Sequence, residues 1–130
     1  MSSSVAGPAT IPAAIAAALS ACAGPAIVAG EPHVVPRAVI APYATQEECA
    51  RLGAGDRLDY RYDSSAPVDF DIHYHEDNAT LAPIVREQST SDSGTFEAHV
   101  ARDYCLLWQA GPPGAIISYR IMLRPPPAPQ

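Results

Sequence analysis

Asp69, Asp71, His73 and His75, spaced at period two, form the one local constellation in the sequence suited to holding a metal ion. In an extended strand every second side chain points the same way, so all four are expected on one solvent-facing side. Imidazoles two residues apart are about 7 Å apart at Cα, close enough for both to reach one Zn²⁺ or Cu²⁺ ion. Two nitrogens fill only half a tetrahedral shell. Glu76, Asp77 or, by alternation, His99 from a neighbouring strand would complete it. Ligands exposed on a twisting strand hold an ion loosely. The expectation is therefore weak Zn²⁺ or Cu²⁺ binding, with no cofactor that folding requires. The plainer reading of the same stripe is a polar outer face that keeps an antiparallel sheet soluble.

Signals for enzymatic chemistry are weaker. The serines between Ser89 and Ser93 do not sit in a G-x-S-x-G elbow. Neither a P-loop nor G-x-G-x-x-G is present. His99 can be combined with Asp92 or Asp103 into a triad, but 4 His and 14 acids produce such pairings by chance. Asp69 and Asp71 share an exposed face, where nothing raises a carboxyl pKa for acid–base work. The chain reads as a non-enzyme. Trp108 and Tyr104 fall on one side of the most continuous apolar run, as core residues do. The alternative is a cleft lined by Trp108 with Tyr60 or Tyr119, sized for a lipid tail or a sugar ring. Seven of the 14 acids lie between Asp56 and Asp77, read as a solvated strand surface or a face for a basic partner.

The chain has 130 residues, a net charge of −6 and no lysine. That balance argues against a nucleic-acid partner and against charge-driven binding to anionic lipid. Residues 5–23 are uncharged and alanine-rich, as the apolar part of a secretory signal is. Within them Leu19-Ser20-Ala21-Cys22 resembles a bacterial lipobox, which implies diacylglycerol on the Cys22 thiol and a membrane anchor. No Lys or Arg precedes it, a departure from the usual cationic leader. Ordinary secretion, with Ala21-Cys22-Ala23 as the cleavage site, and an Ala/Pro-rich leader with an incidental Cys are the alternatives. The expected organisation is a signal segment at 1–22, a Pro/Ala-rich tether at 23–42, a folded domain at 43–124 and a proline-rich tail at 125–130.

Thr45-Gln46-Glu47-Glu48 has the form of a capping box and predicts a short helix through Leu52, ended by Gly53 and Gly55. Beyond it the pattern alternates. Leu58, Tyr60 and Tyr62 share one face, and Val68, Phe70, Ile72 and Tyr74 share another after a turn at Ser64–Pro67. Thr80–Arg86, Thr95–Val100, Tyr104–Gln109 and Ala115–Leu123 read as further strands, with a polar loop at Ser89–Gly94 and one extended segment of tether at Val34–Ile40. Six short strands separated by turn signals predict an all-β fold, a small antiparallel sandwich. In such a small core a cross-link helps. With Cys22 lipidated, Cys49 and Cys105 remain as an even pair in an oxidising compartment, where a disulfide is expected; two buried thiols are the alternative.

Cys49, Gly55-Asp56-Arg57-Leu58, Pro67-Val68-Asp69-Phe70-Asp71-Ile72, Gly94-Thr95-Phe96 and Tyr104-Cys105-Leu106-Leu107-Trp108 together resemble a GOLD (Golgi dynamics) domain, from about Glu47 to Leu123. The resemblance implies a jelly-roll-like sandwich with a Cys49–Cys105 disulfide that binds a protein or lipid partner. Members of the p24 type continue into a coiled coil and a membrane helix, whereas a proline tail follows here, so cargo sorting is not implied. The expected function is a non-catalytic interaction module of the bacterial cell envelope, on the periplasmic face or the outer membrane as a lipoprotein, or secreted in soluble form. The alternative is a periplasmic metal-binding protein using His73 and His75.

Overall fold

The computed structural model describes residues 2–13 and 26–129; the lipobox-like Leu19–Cys22 lies outside them. The described residues form strands β1 (His33–Ile40), β2 (Thr45–Leu52), β3 (Arg57–Glu76), β4 (Ala79–Glu97), β5 (Arg102–Ala110) and β6 (Ala115–Arg124). All pairings are antiparallel, in the order β1-β6-β3-β5-β2, with β4 running beside β3. The fold is all-β, as expected.

One long hairpin organises the sheet. β3 pairs with β6 over Arg57–Ser64 and with β5 over Val68–Tyr74. Its partner changes at Ser64-Ser65-Ala66-Pro67, the predicted turn, which proves to be a bend within one continuous strand. Ser64 Oγ donates to Ala66 O at 2.6 Å, and Ser65 Oγ accepts from Ile116 N at 2.8 Å, so two hydroxyls hold the bend. On the other side of β3, β4 follows the bend through register shifts. Gln88 adopts φ +49° there, and its backbone N–H donates to Asp69 Oδ1 at 2.9 Å. The predicted loop Ser89–Gly94 is therefore strand. Its serines reflect an edge position exposed to water.

The curl gives two facing halves, one of β1, β6 and the first part of β3, the other of β2, β5 and the later part. Alternation fills the space between them. Leu58, Tyr60 and Tyr62 meet Val68, Phe70 and Ile72, and both sets meet Leu106, Trp108, Ile117 and Ile121, all buried. Trp108 from one half stacks on Tyr119 from the other at 4.5 Å between centroids, and on Phe70 at 5.3 Å. Trp108 and Tyr104 are core residues, 0% and 1% exposed, and no cleft opens at the indole.

The predicted helix at Thr45–Leu52 is strand β2. All eight of its residues pair with β5, and its burial alternates up to the buried Leu52. The capping-box pattern is a local preference, and the ladder offered by β5 overrides it. Val34–Ile40, expected as an extended stretch of tether, lies within β1 and pairs with β6. Gly114 makes the return into β6 at φ +69°, where a Cβ would come within 2.7 Å of Ile40 O. That close approach requires glycine.

Candidate functional site at the disulfide face

Cys49 on β2 lies directly opposite Cys105 on β5, and Cys105 lies opposite His73 on β3. The two cysteines form a disulfide across adjacent strands, with Cα atoms 4.1 Å apart. That is the narrow spacing of directly opposed residues in a non-hydrogen-bonded pair. The neighbouring row contains Glu47, Leu107 and Asp71 in the same strand order. Two cysteines, an imidazole and two carboxylates thus share the outer face of one half of the sandwich, placed by register.

The geometry around His73 is specific. Its Nδ1 lies 2.6 Å from Asp71 Oδ1, a bond in which the ring N–H donates to the carboxylate. In the neutral imidazole that assignment leaves the Nε2 lone pair free. Nε2 stands 4.0 Å from Glu47 Oε2. Glu47 Oε1 lies 3.4 Å from Cys49 Sγ, a contact and not a hydrogen bond while the sulfur is oxidised. One donor atom each from Glu47, His73 and Cys105 lies within 4.8 Å of the others.

The sequence stripe is only partly realised. Its alternation holds, but His73 is 7% exposed and not solvated as expected. On a central strand it is flanked by Cys105 from the adjoining β5 and by Glu47 from β2, one strand beyond. Asp69 holds the Gln88 bulge through both the backbone and the side-chain amide of Gln88. His75 meets His73 edge-on at 5.4 Å, and its Nδ1 lies 3.1 Å from Thr80 Oγ1. Glu76 and Asp77 are exposed at the hairpin end, where Asp77 takes φ +53°. His99 lies in the bend after β4, where the end of β4 pairs with the start of β3, and it is not in the close donor group. Glu47 is absent from the expected ligands because Thr45–Leu52 reads as a helix in the sequence. Reading Thr45, Glu47 and Cys49 at period two would have placed Glu47 beside the cysteine.

A second polar cluster lies between the halves. Tyr119 donates to Glu48 Oε1 at 2.6 Å and accepts from Gln46 Nε2 at 2.9 Å, while His33 Nε2 lies 3.1 Å from the same Glu48 oxygen. Burial and the Glu48 carboxylate both push the Tyr119 hydroxyl pKa upward. Burial, then the hydrogen bond to Asp92, pushes Tyr60 up to about 12. On the outer face of the other half, the acids near Arg57 are balanced by β6. Arg57 is opposite Arg124 and Arg61 opposite Arg120, and Arg124 Nε lies 2.7 Å from Asp59 Oδ2. Burial alone would raise the Asp59 carboxyl, but hydrogen bonds from Thr95 and Arg124 and the two nearby guanidinium charges hold it below its ordinary value. No protein-family model matches the chain, and no curated protein is similar to it.

Proposed function

We propose that this protein is a non-catalytic binding module of the bacterial cell envelope, a GOLD-like, disulfide-linked sandwich carried on a lipidated Cys22. The observation that supports this reading is β4. Among the described residues it pairs only with β3, and it leaves an edge of 19 residues whose side chains are mostly exposed, Leu81 and Val85 among them. An open edge of that length is a template for an extended segment of a partner protein, which would add a strand by main-chain hydrogen bonds. A core filled with stacked aromatic rings favours binding at the surface over binding inside. Affinity capture from envelope extracts tests the reading. One envelope protein retained by the folded chain and lost with Leu81→Arg/Val85→Arg is expected; equal retention by both would count against it. The anchor is tested by fatty-acid labelling in a bacterial host. The parent should label and Cys22→Ala should not, and label persisting in Cys22→Ala would sink the lipoprotein assignment.

A second reading, periplasmic metal binding, is favoured by the arrangement of Glu47, His73 and His75. With the disulfide intact, His73 Nε2 and the Glu47 carboxylate offer a partial shell for Zn²⁺ or Cu²⁺. Calorimetric titration of the oxidised protein should show weak binding that disappears in His73→Ala/His75→Ala. A nanomolar one-to-one complex would make metal handling the principal activity.

A further inference from the structure

We propose that the Cys49–Cys105 disulfide masks a four-ligand cation site, and that reducing it creates a centre for Zn²⁺ from Cys49, Cys105, His73 and Glu47. This deepens the metal reading above, and it can fail without that reading failing, because oxidised and reduced protein are measured side by side.

Each donor has its own structural warrant. Both sulfurs stand on the outer face of adjacent strands, with His73 opposite Cys105 on the third strand. Glu47 already bridges the group, one carboxylate oxygen 3.4 Å from Cys49 Sγ and the other 4.0 Å from His73 Nε2. The donors of Glu47, His73 and Cys105 fit within 4.8 Å of one another. In a tetrahedral zinc shell with bonds of about 2.0–2.3 Å, neighbouring donors are about 3.3–3.8 Å apart. These three donors need to draw in by about 1–1.5 Å at most, while the two bonded sulfurs must separate to the spacing of neighbouring ligands once the disulfide is cut. Two of the donors, Cys49 and Glu47, are exposed on the edge strand β2, where side chains can adjust. His73 and Cys105, on inner strands, are the fixed half.

Asp71 is the second, independent observation. Zinc-bound imidazoles characteristically donate their other N–H to a carboxylate, which sets the tautomer and aims the lone pair. Asp71 does this for His73 at 2.6 Å, and the lone pair it frees is on the Glu47 side. The oxidised sulfurs are poor ligands, so the imidazole and its orienting carboxylate are arranged around a centre that lacks two donors until the S–S bond is cut.

A dithiol reductant gives two electrons and two protons to the Cys49–Cys105 bond, becoming a disulfide itself as two thiols form. Zinc binding then displaces two protons as the thiols become thiolates, so affinity rises with pH. Cys₂-His-Glu supplies four donors of the types zinc takes, enough to close a tetrahedral shell.

The test uses the full chain carrying Cys22→Ala, so that no third thiol contributes, with a phosphine as reductant. Co²⁺ serves as the spectroscopic probe and Zn²⁺ as the competitor. The reduced protein should bind one Co²⁺ with thiolate charge-transfer and tetrahedral d–d bands, at least 100-fold tighter than the oxidised protein. His73→Ala and Glu47→Gln should each weaken it at least 10-fold, and Asp71→Asn about 10-fold, the effect expected of an orienting partner. Far-UV circular dichroism follows folding at every step. Reduced protein that binds no Co²⁺, or binds it equally in His73→Ala, overturns the proposal. So does a reduced chain that unfolds and does not recover its strand signal with Zn²⁺. Weak binding by the oxidised protein alone would leave the metal reading standing and remove this one.

Discussion

Replacing Tyr119 with Phe removes a single oxygen from the interior and keeps the ring that stacks on Trp108 at 4.5 Å. The residue is 3% exposed, and its hydroxyl joins the halves of the sandwich: it is carried on β6 and bonded to Glu48 and Gln46 on β2. A hydrogen bond to a charged acceptor contributes about 1.5–3 kcal/mol, and a neutral one about 0.5–1.5. Gln46 is only half-buried, so its amide can turn to water and that bond costs little to lose. Glu48 keeps His33 at 3.1 Å but loses its shortest donor, the one at 2.6 Å. The expected loss is therefore about 2 kcal/mol, or a fall in Tm of roughly 8–16 °C for a domain of this size. The chain has a single tryptophan, and it lies against Tyr119, so urea unfolding followed by its fluorescence reports on this contact directly. A double-mutant cycle with Glu48→Ala should give a coupling above about 1 kcal/mol. A loss below about 0.5 kcal/mol with additive single effects would refute the claim that this polar bridge ties the halves together.

Cutting the cross-link is expected to cost more. Closing a loop over a separation of 56 residues contributes about 4 kcal/mol in the chain-entropy account, so Cys105→Ala should lower stability by about 2–5 kcal/mol, read from urea midpoints in an oxidising buffer. On the alkaline side, Tyr60 loses its proton at about 12 when folded, against about 10 when unfolded. Its contribution is complete below pH about 10 and is lost as pH rises through about 12. Tyr60→Phe should flatten that decline in a stability–pH series. On the acid side, Asp59 is held below its ordinary value, so its contribution is present above the unfolded pKa of about 3.9 and is lost as pH falls through the lower folded value. Asp59→Asn should remove that part of the acid transition.

What the sequence determined by itself was the character of the strands and the contents of the core. Leu58, Tyr60, Tyr62, Val68, Phe70, Ile72, Trp108, Ile117 and Ile121 could be read as inward because period two allows each side chain only one face once the core side is known. The two domain cysteines were legible as a pair because Cys22 lies in the leader-like stretch and only Cys49 and Cys105 lie in the segment expected to fold. Only the tertiary structure decided how the strands connect. Ser64–Pro67 carries every mark of a turn, yet the chain runs through it, because β4 follows β3 past the bend while β6 and β5 take over on the other side. Thr45–Leu52 satisfies a helix-capping pattern and is strand, because eight pairings to β5 outweigh a local cap. The candidate site shows the same division. His73 and Asp71 were visible two residues apart. Glu47, 26 positions before His73, was not, since its place beside the disulfide is set by the β2–β5–β3 register. Local sequence records which way a side chain points, whereas its neighbours across a sheet depend on hydrogen-bond ladders between segments far apart in the chain.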